Sequence, residues 1–318
     1  IGAYGIKTNN TFSKISSTKN ILWVDAYVDV DGASEGERKL VGINLTTGAV
    51  IHEILHTSTG SVIPTADQIY YTNVDYSLTT TLTAGMLTKL GSGKLTYTGT
   101  NNSSEGVSVA DGTLAIPGSS QLGSGTLTLE GGEIELTSAA SISNAVTATS
   151  ASTFDTKSNT VTLSGTITGD SIITKTGSGI LKLTGTLNNS GGFNISSGEL
   201  NVNGSGITPI INSGGIISGA GTVGSIVSSS GTIAPGNSIG TLNVTDNVTL
   251  GSSSILVIEV DADGNSDKII ASGSAVLGGT LRISPITSET YSGVTYTIIT
   301  AVSGISGTFS SAIITTCT

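Results

Sequence analysis

The chain has 318 residues, enough to bury a substantial core, and only 11% are charged against the roughly 25% usual for soluble domains. A formal net charge of -10 argues against a surface built to displace counterions from nucleic acid. With 44 Gly and abundant Ser, Thr and Asn, turn formers and β-branched residues displace the usual helix formers, so the chain is expected to be all-β.

At the start, Ile1 to Lys7 lack the basic and apolar regions of a signal peptide, and any export signal is expected to have been removed. No stretch approaches the ~20 continuous apolar residues of a membrane-spanning helix. Ile21-Leu22-Trp23-Val24 and Val41-Gly42-Ile43-Asn44-Leu45 read as strands, with Asp31-Gly32 and Thr47-Gly48 as turns. Residues 1–79 therefore form a non-repetitive β module or cap.

This region also holds His52-Glu53-Ile54-Leu55-His56, which satisfies H-E-x-x-H. On a helix the two imidazoles would share a face and bind zinc, with Glu53 activating a water and Asp67 or Asp75 as a third ligand. The flanking Gly48-Ala49-Val50-Ile51 and Thr57-Ser58-Thr59-Gly60 favour strand or turn instead, which separates Glu53 from the histidines. No metal site is assigned here.

From Leu87, LTKLGSGKLTYTGTNNSSEGVSVADGTLAI aligns without a gap to ITKTGSGILKLTGTLNNSGGFNISSGELNV from Ile173, with identities that include Lys89 with Lys175 and Gly93 with Gly179. A shorter echo begins at Leu122, and Gly214 onward continues the style. Each unit offers a short alternating strand closed by Gly, Asn or Ser. Such a strand cannot bury its face alone, so similar units must stack. Coils of roughly 20 to 25 residues rising ~4.8 Å each would make a rod of order 50 Å. Residues 80–229 are therefore expected to form β-helix repeats, and residues 230–318 further coils.

Glu133 and Glu135 alternate with Ile134 and Leu136, which places both carboxylates on one strand face. A pair of acids is the equipment of glycoside cleavage, but no neighbouring Arg or aromatic platform is visible, and both are expected to be solvated. Asp261-Ala262-Asp263-Gly264-Asn265-Ser266-Asp267 alternates oxygen ligands as a calcium loop does. Its glycine is displaced, however, and Ser272 stands where an EF-hand has Glu, so a solvated turn is expected. The single cysteine, Cys317, allows no internal disulfide.

The segments at Leu87 and Ile173 resemble the passenger-associated repeat of autotransporters, Thr-Lys-x-Gly-x-Gly-x-Leu-x-Leu-x-Gly, an Asn-rich loop, then Gly-x-Leu. The stretch from Ser230 to Ile283, above all Ala234-Pro235-Gly236-Asn237-Ser238-Ile239-Gly240-Thr241-Leu242, is similar to the terminal part of such passengers, and the block from Tyr296 continues it. The resemblance implies a right-handed single-stranded parallel β-helix whose last coils act as folding nucleus. It also implies export through a β-barrel translocator, a barrel that does not appear before Thr318.

The resulting expectation is a bacterial passenger at the outer-membrane surface or secreted, acting as an adhesin or display stalk without enzymatic activity. Its partners would be surface molecules of a host or neighbouring cell, or copies of itself. No catalytic or cofactor-binding residue is assigned, and no cofactor. The alternative is a self-assembling extracellular fibre or surface-array subunit. A β-helical glycan-active enzyme or zinc hydrolase would need a cleft of acids and aromatics, and the chain has only four Phe and one Trp.

Overall fold

The computed structural model describes residues 21–28, 37–44, 50–55, 68–71, 75–79, 81–83, 85–287, 291 and 293–315, with side chains from residue 75 onward except Tyr76. Among these residues there is no α-helix, and a single 3-10 turn, Ser119–Gln121, interrupts the strands. The chain is an all-β parallel solenoid, as the repeats require.

Near the start, Ile21–Val28, Glu37–Asn44 and Val50–Leu55 form an antiparallel three-stranded sheet in that order. Ile21 faces Asn44 and Val28 faces Glu37. The turns expected at Asp31-Gly32 and Thr47-Gly48 lie outside the described residues.

Parallel pairing begins with Gln68–Tyr71 against Leu87–Leu90 and Tyr76–Leu78 against Lys94–Tyr97. The coil that follows has three faces. The first is a 12-stranded sheet running to Ile299–Ala301; at ~4.8 Å per rung this length is about 50 Å. On it Leu87, Val107, Leu127, Val146, Ile167 and Leu187 stack in direct register, in steps of 19 to 21 residues. The second face carries Lys94–Tyr97, Thr113–Ile116, Glu133–Leu136, Ser152–Asp155 and Ile173–Thr176 in succession. The third opens with turns, where Leu82 bridges Asn101, and becomes regular sheet from Ala140–Ile142 through Thr160–Leu163 to Ile180–Leu183. Further on, Ile226–Pro235 and Val248–Val260 each run across both the second and third faces as one bent strand.

Alternation explains the core. In Lys94–Tyr97, Leu95 and Tyr97 are buried while Lys94 and Thr96 are only half so, and the same period continues through Leu181, Leu183, Phe193 and Ile195. Each inward side chain lies on its counterpart one coil away, so the core is a set of continuous columns.

The corners leave inward-directed carbonyls, and side chains with N–H groups satisfy them. Gln121 Nε2 donates to Gly99 O at 2.7 Å, Asn144 Nδ2 to Gly123 O and Gly125 O at 3.0 and 2.6 Å, and Asn212 Nδ2 to Gly215 O and Thr232 O at 3.2 and 3.1 Å. Two corners use lysine. Lys89 and Lys175, both fully buried, run their stems into the core columns and end their ammonium groups on backbone carbonyls.

These lysines show that the sequence repeat and the coil are out of phase. Four coils from Leu87 lead to Ile167, whereas the aligned residue is Ile173 on the next strand. The copy at Leu87 therefore starts on the first face and the copy at Ile173 on the second.

Candidate functional site

Charged residues are sparse on this rod, and five of them meet at the second face. Thr113, Glu133, Thr153 and Thr174 form one outward column, and Ala115, Glu135, Asp155 and Thr176 the next. Glu133, Glu135 and Asp155 thereby bring one carboxylate oxygen each to within 4.8 Å of one another, the one such group of three acids, histidines or cysteines among the described residues.

Two lysines close over them. Glu135 Oε2 accepts from Lys94 Nζ at 2.8 Å and Lys157 Nζ at 3.0 Å, and Lys157 Nζ also lies 3.3 Å from Asp155 Oδ2. Glu135 is only 5% exposed, which corrects the expectation of two solvated acids: it is buried and bonded to both lysine amines. Lys157 alone among the described non-glycine residues has positive φ, at 51°, in a turn fixed by its N–H donating to Asp155 Oδ1 at 2.7 Å. The amine of Lys157 is held up chiefly by its hydrogen bond to Glu135. Burial, then the charges of Asp155 and Glu135, pushes the Glu133 carboxyl above its ordinary range.

Chemically, the Lys157 amine already bonds to two of the three carboxylates, Glu135 and Asp155.

The other sequence candidates lie elsewhere. His52 stands in the strand Val50–Leu55 opposite Gly42, not on a zinc-binding helix, and His56 and Asp67 fall outside the described residues. Asp75 accepts from Lys94 N at 3.2 Å. In the Asp261–Asp267 loop, Asp261 accepts from the amides of Asp263 and Asn265 at 3.0 and 2.8 Å and from Asn265 Nδ2 at 2.7 Å. Those hydrogen bonds hold its carboxyl below the ordinary range. Asp267 turns inward, 1% exposed, and accepts from Gly240 N and Glu259 N at 2.9 and 2.8 Å. Asp261 thus serves its own turn, Asp267 serves main-chain amides of neighbouring segments, and the loop's acids form no group of three converging ligands.

The two lysine corners were missed as sites at the sequence level, although Thr-Lys-x-Gly-x-Gly recurs in both copies. Lys89 Nζ donates to Leu90 O, Gly91 O and Asp111 O at 2.9, 2.6 and 3.1 Å. Lys175 Nζ donates to Thr176 O, Gly177 O and Ser197 O at 2.7, 2.9 and 3.2 Å. Burial pushes both amines down to about 8, opposed by Asp111 at Lys89 and by Asp155 and Glu199 at Lys175.

No family model matches the chain. It is similar to two proteins of Serratia marcescens, each described as an extracellular serine protease. One is 34% identical over 151 residues and the other 32% over 152, each match covering 44% of this chain. The matches cover only 14% of the length of either relative. Likeness to extracellular proteins agrees with the passenger resemblance of the repeats. The expectation of a protein without enzymatic activity is overturned, because both relatives are named for proteolysis.

Proposed function

We propose that this chain is part of the passenger of an exported autotransporter, that it works outside the cell, and that its solenoid is the stalk supporting a proteolytic activity. The observation that carries this reading is a parallel solenoid with a 12-stranded face in a chain similar, over 44% of its length, to extracellular serine proteases. A rod of stacked coils suits display: each coil is held by its neighbours, so length is added without a new core. A β-barrel translocator would be its export partner.

Serine-protease chemistry of the Ser-His-Asp kind needs an imidazole beside the nucleophile. Both histidines, His52 and His56, precede the solenoid strands in sequence. On this reading the catalytic serine lies outside residues 75–315, which contain no histidine. The test is to treat the full secreted protein with a fluorophosphonate and map the labelled serine. A label outside 75–315 supports the proposal, a label within it makes the solenoid itself catalytic, and an unlabelled protein removes the proteolytic part.

A further inference from the structure

We propose that the repeated lysine is a built-in cation whose carbonyl cage, supplied wholly by its own repeat, closes a coil corner on whichever face the repeat begins. The two cages correspond position by position. Leu90, Gly91 and Asp111 supply the carbonyls around Lys89; Thr176, Gly177 and Ser197 supply them around Lys175. These positions are matched in the aligned copies, Leu90 with Thr176 and Asp111 with Ser197, and every one lies inside its own segment, 87–116 or 173–202. Yet Lys89 stacks on Val109 in the first face, and Lys175 stacks between Phe154 and Ile195 in the second.

The geometry suits an ammonium. An ammonium offers three donors and no acceptor, matching three carbonyls, whereas a corner amide such as Asn212 gives two donors. A buried charge is tolerated where its acceptors are all in place. Among the described residues those acceptors are main-chain carbonyls, with no carboxylate in hydrogen-bond contact. Space is tight in the same way at both corners. A Cβ on Gly112 would meet Gly91 O at 2.3 Å and Lys89 Nζ at 2.7 Å; on Gly198 it would meet Gly177 O at 2.3 Å and Lys175 Nζ at 2.7 Å. The glycine lets the next coil lie directly on the cage.

A cage that depends on no residue outside its repeat explains how a repeat shifted by one face still fits. It also makes the site a receptor for a primary ammonium once the lysine is cut back. In the full chain, Lys175→Ala removes the equivalent of n-propylammonium. Hydrogen exchange should then speed up at the amides of Ser196 and Glu199, which pair with Lys175 O and Gly179 O, on the order of tenfold. Adding n-propylammonium should restore protection, and n-propanol, the same stem without charge, should not. Lys182→Ala, on the following strand of the same coil but directed outward, should leave these amides unchanged. Lys175→Met keeps the stem and serves if the alanine variant does not fold; it too should lose protection at this corner. Lys89→Ala should repeat the pattern on the first face, at Ala110 and Thr113. Unchanged exchange in Lys175→Met, or rescue by propanol as good as by propylammonium, overturns the proposal.

Discussion

Asp267 and Gly240, 27 residues apart, are joined by a 2.9 Å hydrogen bond from the glycine amide to a carboxylate that is almost wholly buried. The same carboxylate receives the amide of Glu259, so one side chain ties the Ala234–Leu242 stretch to the end of a long strand in the following coil. Burial is the main influence on this group and pushes it up to about 6, against the two amides, which favour the ion.

The sign of the pH effect follows from linkage. Between the ordinary value of 3.8 and about 6 the folded chain holds this proton more firmly than the unfolded chain, so the group's contribution to stability falls as pH rises through that window. Asp267→Asn should remove that slope, which denaturant unfolding at pH 4, 5, 6 and 7 would reveal. An identical slope in the variant would show that other groups carry it.

The buried lysines give the opposite slope at high pH. Their folded values of about 8 lie below 10.5, so between these limits the unfolded chain binds more protons and stability rises with pH. The double variant Lys89→Met with Lys175→Met should flatten the rise seen in the parent, measured by unfolding between pH 7.5 and pH 10.5.

Gly198 has φ +68°, and its Cβ position is blocked by main-chain oxygens at 2.3 and 2.4 Å. Gly198→Ala therefore costs strain and displaces the coil below, about 1 to 3 kcal/mol. Gly118→Ala, whose nearest neighbour would be Ala140 Cβ at 3.6 Å, is a suitable comparison and should change stability by under ~1 kcal/mol. Equal melting curves for the two would contradict the corner geometry.

At the charged cluster, Glu135→Gln leaves Lys94 and Lys157 without their shared partner. The lysines are partly exposed, 33% and 48%, so solvent screens the loss and the expected cost is about 1 kcal/mol. Glu133→Gln should instead be neutral or slightly stabilising, because burial and two neighbouring carboxylates oppose its charge. Thermal unfolding of the two variants side by side decides: greater loss from Glu133→Gln would reverse the roles given to them.

Phe193 is fully buried and stacks on Ile173 and Ile210. Phe193→Ala should cost about 3 to 5 kcal/mol. Because a coil touches only its neighbours, the loss should appear first in hydrogen exchange of the adjoining coils. Uniform loss along the whole rod would mean that the solenoid unfolds as one cooperative unit.

Much of this architecture was legible in local sequence. Alternation in stretches such as Leu95-Thr96-Tyr97, closed by glycine, can bury its apolar face only by stacking, and two copies of one motif make stacking the economical solution. Which face each copy occupies was not legible, because that depends on the summed lengths of all intervening turns. The 86 residues from Leu87 to Ile173 amount to four coils and one face, a phase fixed only by the register of the assembled strands. The paired acids of Gly132-Glu133-Ile134-Glu135 were visible, and so was their common face. Their partners were not, since Lys94 and Lys157 come from other coils and reach Glu135 only once the stack has formed. Nor could the sequence mark Lys89 and Lys175 as buried: a lysine is ordinarily a surface residue, and only tertiary structure gathers three carbonyls around each ammonium and makes burial tolerable. Sequence determined the strand period, the glycine corners and the solenoid; the tertiary structure decided which distant charges meet, because register between coils is a property of the whole stack.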